Sequence, residues 1–358
     1  MELKLNREVS LAEAEELILA IGSTNTVHLR GQPGIGKTAM AARIANRTGF
    51  RLVYIDTPTT DVCDLGVPMP NHETKTTALY PNDHWRLHTG EPLVIFIDEF
   101  SKPSSQAVQN MLHPLIHERR FSGFEQHRDT IVVTAGNNTT DGVGDNLKDH
   151  TITRLTIVDV ANPTAEQYIE YGAAKGYAPE LLAFVRNYPH CLASYKDASQ
   201  KENMYIFNPR NPGRSCFTPR TGEKASNILN KREVLSAAGF DRNALVAALC
   251  GTIGEAAGRD LAAYAEVADS IPLWEAVIAN PSGCKIPTSP AALCIMAYGA
   301  VMKINRTNIS AWFTYLKRCP KELQSVFCFT AAANKEKREI LMTSAAFIQW
   351  MRENSFLY

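Results

Sequence analysis

Residues 31–38 read GQPGIGKT, and downstream a continuous apolar run, LVIFI at 93–97, ends in Asp98 and Glu99. In the first stretch Gly31, Gly34 and Gly36 let the backbone curl so that successive amides point inward at a phosphate, and the following helix adds its positive N-terminal end. Lys37 places an ammonium between the β- and γ-phosphates of a nucleotide, while the Thr38 hydroxyl suits an accompanying magnesium ion. Such a loop carries meaning only between a strand and a helix. Both are legible: Thr26, Val27, His28 and Leu29 form a short β-like run, and TAMAARIANRT is rich in helix formers and stopped by Gly49. The run at 93–97 suits a strand buried on both faces of a parallel sheet. From its end Asp98 can hold the magnesium through water, and Glu99 can orient and deprotonate an attacking water. Loop and strand together imply a chain that binds a nucleoside triphosphate and hydrolyses it, with the cradle spanning Gly31, Gln32, Pro33, Gly34, Ile35, Gly36, Lys37, Thr38 and Ala39.

The chain of 358 residues is long enough for two or three compact units, and its 45% hydrophobic content is that of a globular protein. No apolar run approaches the roughly 18 residues that a membrane span needs. The N-terminal MELKLNREVSLAEAEELILAIG reads as an amphipathic helix rather than a signal peptide, with Ser10 and Glu13 at capping-box spacing and Leu11, Ala14, Leu17, Ile18 and Ile21 on one face. A cytoplasmic location is therefore expected. The eight cysteines never form a Cys-x-x-Cys pair and sit mostly in apolar surroundings, which favours buried free thiols. Lys and Arg together number 37, as do Asp and Glu, so the global basic excess usual in non-specific nucleic-acid binding is missing, although a local basic stripe stays open.

Strand and helix signals alternate over the first 160 residues, as in α/β proteins. Strands are expected at 26–30, 51–55, 93–97, 131–135 and 155–160. A helix is expected in SSQAVQNMLHPLIHE at 104–118, where Val108, Met111, Leu112, Leu115 and Ile116 follow helical spacing and Pro114 should introduce a kink. Beyond residue 161 the pattern is helical. Asn162 should cap a helix that Pro163 begins and that ends near Gly176. Residues 188–219, rich in proline, read as a long surface excursion. Helical patterns return near 220–231, 242–257, 290–304, 308–317, 321–333 and 344–354, and the aromatics Trp312, Phe313, Tyr315, Phe327, Phe329, Phe347 and Trp350 suit a helical-bundle core.

The order of motifs goes further than a generic phosphate loop. After Asp98 and Glu99 comes VVTAGNN, delivering Asn137 at a strand tip, then TRLTIVDV with Arg154 before the last strand, and much later FTPR with Arg220. This succession resembles an AAA+ ATPase and, within that superfamily, is similar to the MoxR group. The resemblance is strongest over 10–235. It implies an AAA+ P-loop core at 1–160 with a parallel five-stranded sheet, an all-α lid at 161–270 and a C-terminal helical extension at 271–358. In the family's terms GQPGIGKT resembles the Walker A loop and LVIFIDE the Walker B strand. Asn137 matches the sensor-1 position that orients the lytic water, Arg154 the finger that reaches the γ-phosphate in a neighbouring subunit, and Arg220 the sensor-2 arginine of the lid. Two positions depart from the family: Leu155 stands where Phe is usual, and Asn138 where Pro is common. Neither departure removes a charged or catalytic group.

What the resemblance implies is an ATP- and Mg2+-dependent ring, a hexamer, that remodels or matures a partner protein in chaperone fashion, the partner carrying a von Willebrand factor A domain. Residues 56–70 resemble the approach to a hairpin insert within the second helix, with NHETKTTALYPNDHW in the insert itself, and RRFSGFEQHR at 119–128 resembles the hairpin before the sensor-1 strand. Both hairpins would face the ring's channel or a partner. Two alternatives remain open at this point. In a nucleic-acid motor of the McrB or helicase-loader kind, Arg119, Arg120, His127 and Arg128 would line the channel and touch phosphates. In a nucleotide-gated scaffold, binding would matter and turnover would not. Other chemistry has little support. His113 and His117, and His84 and His88, have i, i+4 spacing but no third ligand at a diagnostic distance, and no nucleophile elbow is present. No metal other than magnesium is expected.

Overall fold

Alternation within LVIFI sends Val94 and Phe96 to one face of a sheet and Leu93, Ile95 and Ile97 to the other, and each set is buried in a separate apolar cluster. This double burial is what a continuous apolar strand demands. The computed structural model describes residues 8–137, 147–210 and 213–354. The chain divides into two compact units, Met1–Asn162 and Pro163–Tyr358.

In the first unit the elements run β1 (Glu8–Val9), α1 (Leu11–Ile21), β2 (Val27–Arg30), α2 (Lys37–Thr48), β3 (Arg51–Asp56), α3 (Val62–Leu65), β4 (Gly66–Asn71), β5 (Thr76–Pro81), β6 (Leu93–Asp98), α4 (Gln106–Glu118), β7 (Arg120–Phe121), β8 (Phe124–Glu125), β9 (Ile131–Gly136), α5 (Asp149–Ile152) and β10 (Thr156–Val160). The main sheet has the order β1-β10-β2-β9-β6-β3, and all its pairings are parallel. The five expected strands are present, each within one residue of its expected ends. A sixth, β1, adds two residues at the edge beside β10 and corrects the expected count.

Both faces are covered. α1 carries the Ser10–Glu13 capping box and buries Ala14 and Ile18 against the Val94 and Phe96 side, and α2 joins it there between Gly36 and a left-handed Gly49 at φ 74°. α4 covers the other face, buries Val108, Leu112, Leu115 and Ile116, and continues through Pro114 to its end at Arg119. Arg119 has a left-handed backbone, φ 55°, and its guanidinium donates to Gly22 O, Ser23 O, Thr26 Oγ1 and Ile116 O at 2.6–3.3 Å. Desolvation lowers its pKa to about 10. This arginine ties the end of α4 to the approach to β2, so it is spent on the fold. The channel-lining role envisaged for it does not survive.

Two hairpins project from this unit. β4 and β5 pair antiparallel, Val67 opposite Tyr80 and Met69 opposite Ala78, and leave Val67, Met69 and Tyr80 in solvent. Pro68 and Pro70 lack an amide hydrogen, so they occupy the ladder positions that face away from β5, which is where an edge strand tolerates proline. The smaller hairpin pairs β7 with β8, buries Phe121 and exposes Phe124.

The second unit contains α6 (Ala165–Lys175), α7 (Pro179–Asn187), α8 (Pro219–Asn230), α9 (Arg232–Ala237), α10 (Arg242–Ile253), α11 (Glu255–Asp269), α12 (Trp274–Ala279), α13 (Pro290–Lys303), α14 (Ile309–Leu316), α15 (Lys321–Ala333), α16 (Lys335–Met342) and α17 (Ala345–Glu353), around one apolar core. Here the sequence reading needs several corrections. Thr164, in a capping box with Gln167, caps α6 in place of Asn162, whose amide instead reaches Gln32 Oε1 at 3.1 Å. The 188–219 stretch is no surface excursion, because Cys191, Leu192, Tyr205, Ile206 and Phe217 are all buried; residues 211 and 212 lie outside the described set. The expected 242–257 helix is broken by Gly254, φ 90°, into α10 and α11. Trp312, Phe313, Tyr315, Phe327, Phe347 and Trp350 do form part of the core, but Phe329 is 45% exposed. Only Cys191, Cys319 and Cys328 are buried, and Cys63 is exposed. Among the described residues no helix is long and apolar enough to cross a membrane.

α10 and α11 approach so closely at Gly258 that a Cβ there would lie 2.5 Å from the backbone nitrogen of Cys250. Backbone cannot yield as a side-chain tip can. Gly258→Ala is therefore expected to cost about 1–3 kcal/mol or slightly more, read as a lower melting midpoint of the intact chain. An unchanged midpoint would show that the two helices part freely.

Candidate active site

Register decides which residues meet. Arg30 of β2 lies level with Gly136 of β9, and Thr134 of β9 with Ile97 of β6, so the chain leaves these three strands side by side as Gly31, Asn137 and the Asp98–Glu99 pair. Ligands of open parallel sheets bind at this carboxyl edge. The loop after β2 turns through Gly34, φ 79°, and Gly36, φ 110°, into α2. At Gly31 a Cβ would lie 2.6 Å from Ile35 Cδ1, a side-chain tip that can yield, and 3.1 Å from Val160 O.

Lys37 is buried and its ammonium donates to Gly31 O at 2.8 Å, Gln32 O at 3.2 Å and Asn137 Oδ1 at 3.4 Å. Asn137 donates its amide to both carboxylate oxygens of Glu99, at 2.8 and 3.1 Å. Lysine, asparagine and glutamate thus form one chain of contacts. Glu99 itself sits at φ 49°, in the left-handed region. Asn138 lies outside the described residues.

Asp98 faces the other way along the loop. Its Oδ2 accepts from Thr38 Oγ1 at 3.3 Å and from Tyr54 Oη at 2.9 Å, and its Oδ1 accepts from the Glu99 amide at 3.0 Å. A hydroxyl and a carboxylate at this spacing are hard oxygen donors of the kind magnesium takes, with room left for phosphate and water oxygens. The residues present therefore fit that ion. Tyr54 and Thr57 were not singled out from the sequence. Tyr54 stacks on Phe96 with ring centroids 6.1 Å apart, and Thr57 Oγ1 donates to the carbonyls of Asp98 and Glu99 at 3.0 and 2.8 Å. Their place beside Asp98 and Glu99 comes from the parallel pairing of β3 with β6, which sets Asp56 level with Asp98.

Under the loop His28 is fully buried, with Nδ1 2.8 Å from Thr134 Oγ1. Burial, with Arg30 and Lys37 nearby, lowers its pKa to about 3, so it is a neutral structural group. Arg30 is paired bidentately with Asp159 at 2.8 and 2.9 Å.

Arg154 is not part of this cluster. It precedes β10, whose first residue, Thr156, is level with Val27 at the opposite, amino edge of the sheet. Three residues of strand separate Thr156 from Asp159, which is level with Arg30, or about 10 Å of rise. Its guanidinium instead meets His113 of α4, and Leu155 packs against the α4-side core. Arg220 belongs to the second unit. It is exposed in the first turn of α8, and among the described residues it forms no ion pair, with Glu223 or otherwise.

Residues 26–155 match the family model described as AAA domain, dynein-related subfamily. This part of the chain is an AAA+ ATPase domain. No curated protein matches the sequence. Among solved structures, the AAA+ domain and its helical companion overlap the Thermotoga maritima RuvB Holliday junction branch migration motor at 16% identity, over 86% of this chain and 86% of that one, with a TM-score of 0.36. A mutant of the same RuvB overlaps at 17% identity over 87% of this chain and 90% of that one, also at 0.36.

Proposed function

We propose that this chain is one subunit of a MoxR-like, ring-forming motor, a hexamer, that spends ATP on remodelling or maturing a partner protein. One observation carries the reading: the phosphate edge gathers Lys37, Thr38, Asp98, Glu99 and Asn137, while Arg154 stands at the other edge of the same sheet. An arginine side chain does not span that gap, which favours Arg154 as the completing group of a pocket that belongs to another copy.

In the proposed mechanism the amides of 31–36 and Lys37 hold the β- and γ-phosphates. Thr38 and Asp98 would hold magnesium, which when bound offsets phosphate charge. Glu99 takes the proton from the attacking water, and Asn137, already joined to Glu99, orients that water. Arrival of the phosphates draws Lys37 from Asn137 Oδ1 and frees that oxygen for the water. Arg154 from the next subunit and Arg220 from the second unit stabilise charge developing on the γ-phosphate. Arg220 has a physical reason to seek an anion, since a cation at a helix N-terminus opposes the helix dipole.

The β4–β5 hairpin supports a protein partner, for Val67, Met69 and Tyr80 offer apolar rather than basic surface. The assignment of a von Willebrand factor A domain to that partner rests on resemblance to the MoxR group. The nucleic-acid alternative loses Arg119 to the fold. Dilution tests the ring directly. ATP turnover per subunit should fall steeply as the protein is diluted through dissociation, and a constant specific activity would remove the shared pocket and with it this proposal.

A further inference from the structure

Arg154 Nη1 donates to His113 Nδ1 at 3.4 Å, and the other ring nitrogen, Nε2, lies 3.2 Å from Thr151 Oγ1. Arginine has only donors, so Nδ1 must be an acceptor and the ring proton must sit on Nε2, shared with Thr151. Thr151 is fully buried and its amide and carbonyl tie the turn that carries Arg154, through Thr151 N to Lys148 O and Arg154 N to Thr151 O, both within 3.1 Å. The ring therefore bridges α4 to the side chain and the backbone of the turn that presents this arginine. Among the described residues Arg154 makes no ion pair. A carboxylate in place of His113 would hold the guanidinium by a charge-assisted bond and compete with phosphate for it. A neutral nitrogen orients it and lets go.

We propose that His113 is a positioning residue for Arg154: the neutral ring aims the guanidinium at the neighbouring subunit's pocket, and protonation of Nδ1 disengages it, so that acid throttles ATP turnover. The inference rests on the reading of Arg154 as a residue acting in trans. The charged and titratable groups that face the ring are Arg154, His150, whose ring centroid is 5.4 Å away, and Lys148, whose ammonium is held by Gln106; Phe100 closes the remaining side at 6.3 Å. His117 follows one turn later on α4 and is exposed. Partial burial, then Arg154, His150 and Lys148, lower the His113 pKa, which keeps the ring neutral at neutral pH. Acid must overcome all of these before the contact fails.

Asparagine and glutamine at 113 separate the two ring nitrogens. Asn places an acceptor near the Nδ1 position and cannot titrate, whereas Gln reaches toward Thr151 and leaves Arg154 without its acceptor. Steady-state turnover of the full chain with Mg-ATP between pH 5.5 and 8.5 is the test, with Arg154→Ala alongside. At pH 7.5, His113→Gln should lower kcat about tenfold with little change in KM. His113→Asn should stay within about twofold of the wild type and lose the wild type's decline toward acid. If Arg154→Ala leaves turnover intact, the trans reading fails and this inference goes with it. If Arg154→Ala abolishes turnover but the Asn and Gln variants behave alike, or the acid decline persists in His113→Asn, the positioning role is overturned and the trans reading stands.

Discussion

Arg154→Ala is expected to lower ATP turnover by about 10³- to 10⁵-fold, the range for loss of an arginine supplied in trans, and to leave nucleotide affinity nearly unchanged. The split follows from the geometry. On the proposed reading the 31–38 loop and Lys37 hold the triphosphate at the carboxyl edge, and Arg154, level with the amino edge, contributes nothing there in its own subunit. Mixing gives a sharper test. A subunit with Arg154→Ala keeps an intact pocket, and one with Glu99→Gln keeps an intact arginine, so each is nearly inactive alone. In random mixed rings about one interface in four joins the good pocket to the good arginine, and activity should return to that level. If mixtures stay as inactive as their components, the pocket is not shared.

Glu99→Gln is expected to reduce kcat by about 10²- to 10⁴-fold, the usual loss for a general base, while Mg-ATP still binds. Glutamine keeps the shape of the side chain and can still accept one hydrogen bond from Asn137, but it cannot accept the water's proton. The same variant separates a motor from a nucleotide-gated scaffold. A motor loses its biological activity with turnover; a scaffold retains it. Equilibrium binding of a fluorescent ATP analogue beside a turnover assay checks both halves, and turnover close to wild type would remove Glu99 from the chemistry.

The features read correctly from sequence share one property: each leaves its mark within a short stretch of chain. Gly34 and Gly36 have positive φ because the cradle requires it, and LVIFI is apolar throughout because both faces of β6 are covered. What was missed depends on neighbours distant in the chain. β1 is two residues long and exists only through β10. The helix α7 buries every residue from Leu181 to Val185, so it lacks the periodicity that marks a one-sided helix. Arg119 looks like part of a basic run, and only the carbonyls of Gly22, Ser23 and Ile116 reveal that it is consumed internally. The partnership of Arg154 with His113 spans 41 residues, and no spacing rule points to it. Two signals were present and overlooked. Thr164 and Gln167 have capping-box spacing, and Gly254 breaks an otherwise continuous helical pattern.

The backbone of Glu99, turned into the left-handed region at φ 49°, has an evolutionary consequence. Holding a residue with a β-carbon in that conformation costs roughly 1–2 kcal/mol. Glycine would relieve it, giving back about 0.5–1 kcal/mol through its greater freedom when unfolded. Laboratory selection for heat resistance alone would thus favour glycine at codon 99, and selection for work done would purge it. At this codon the two selections point in opposite directions.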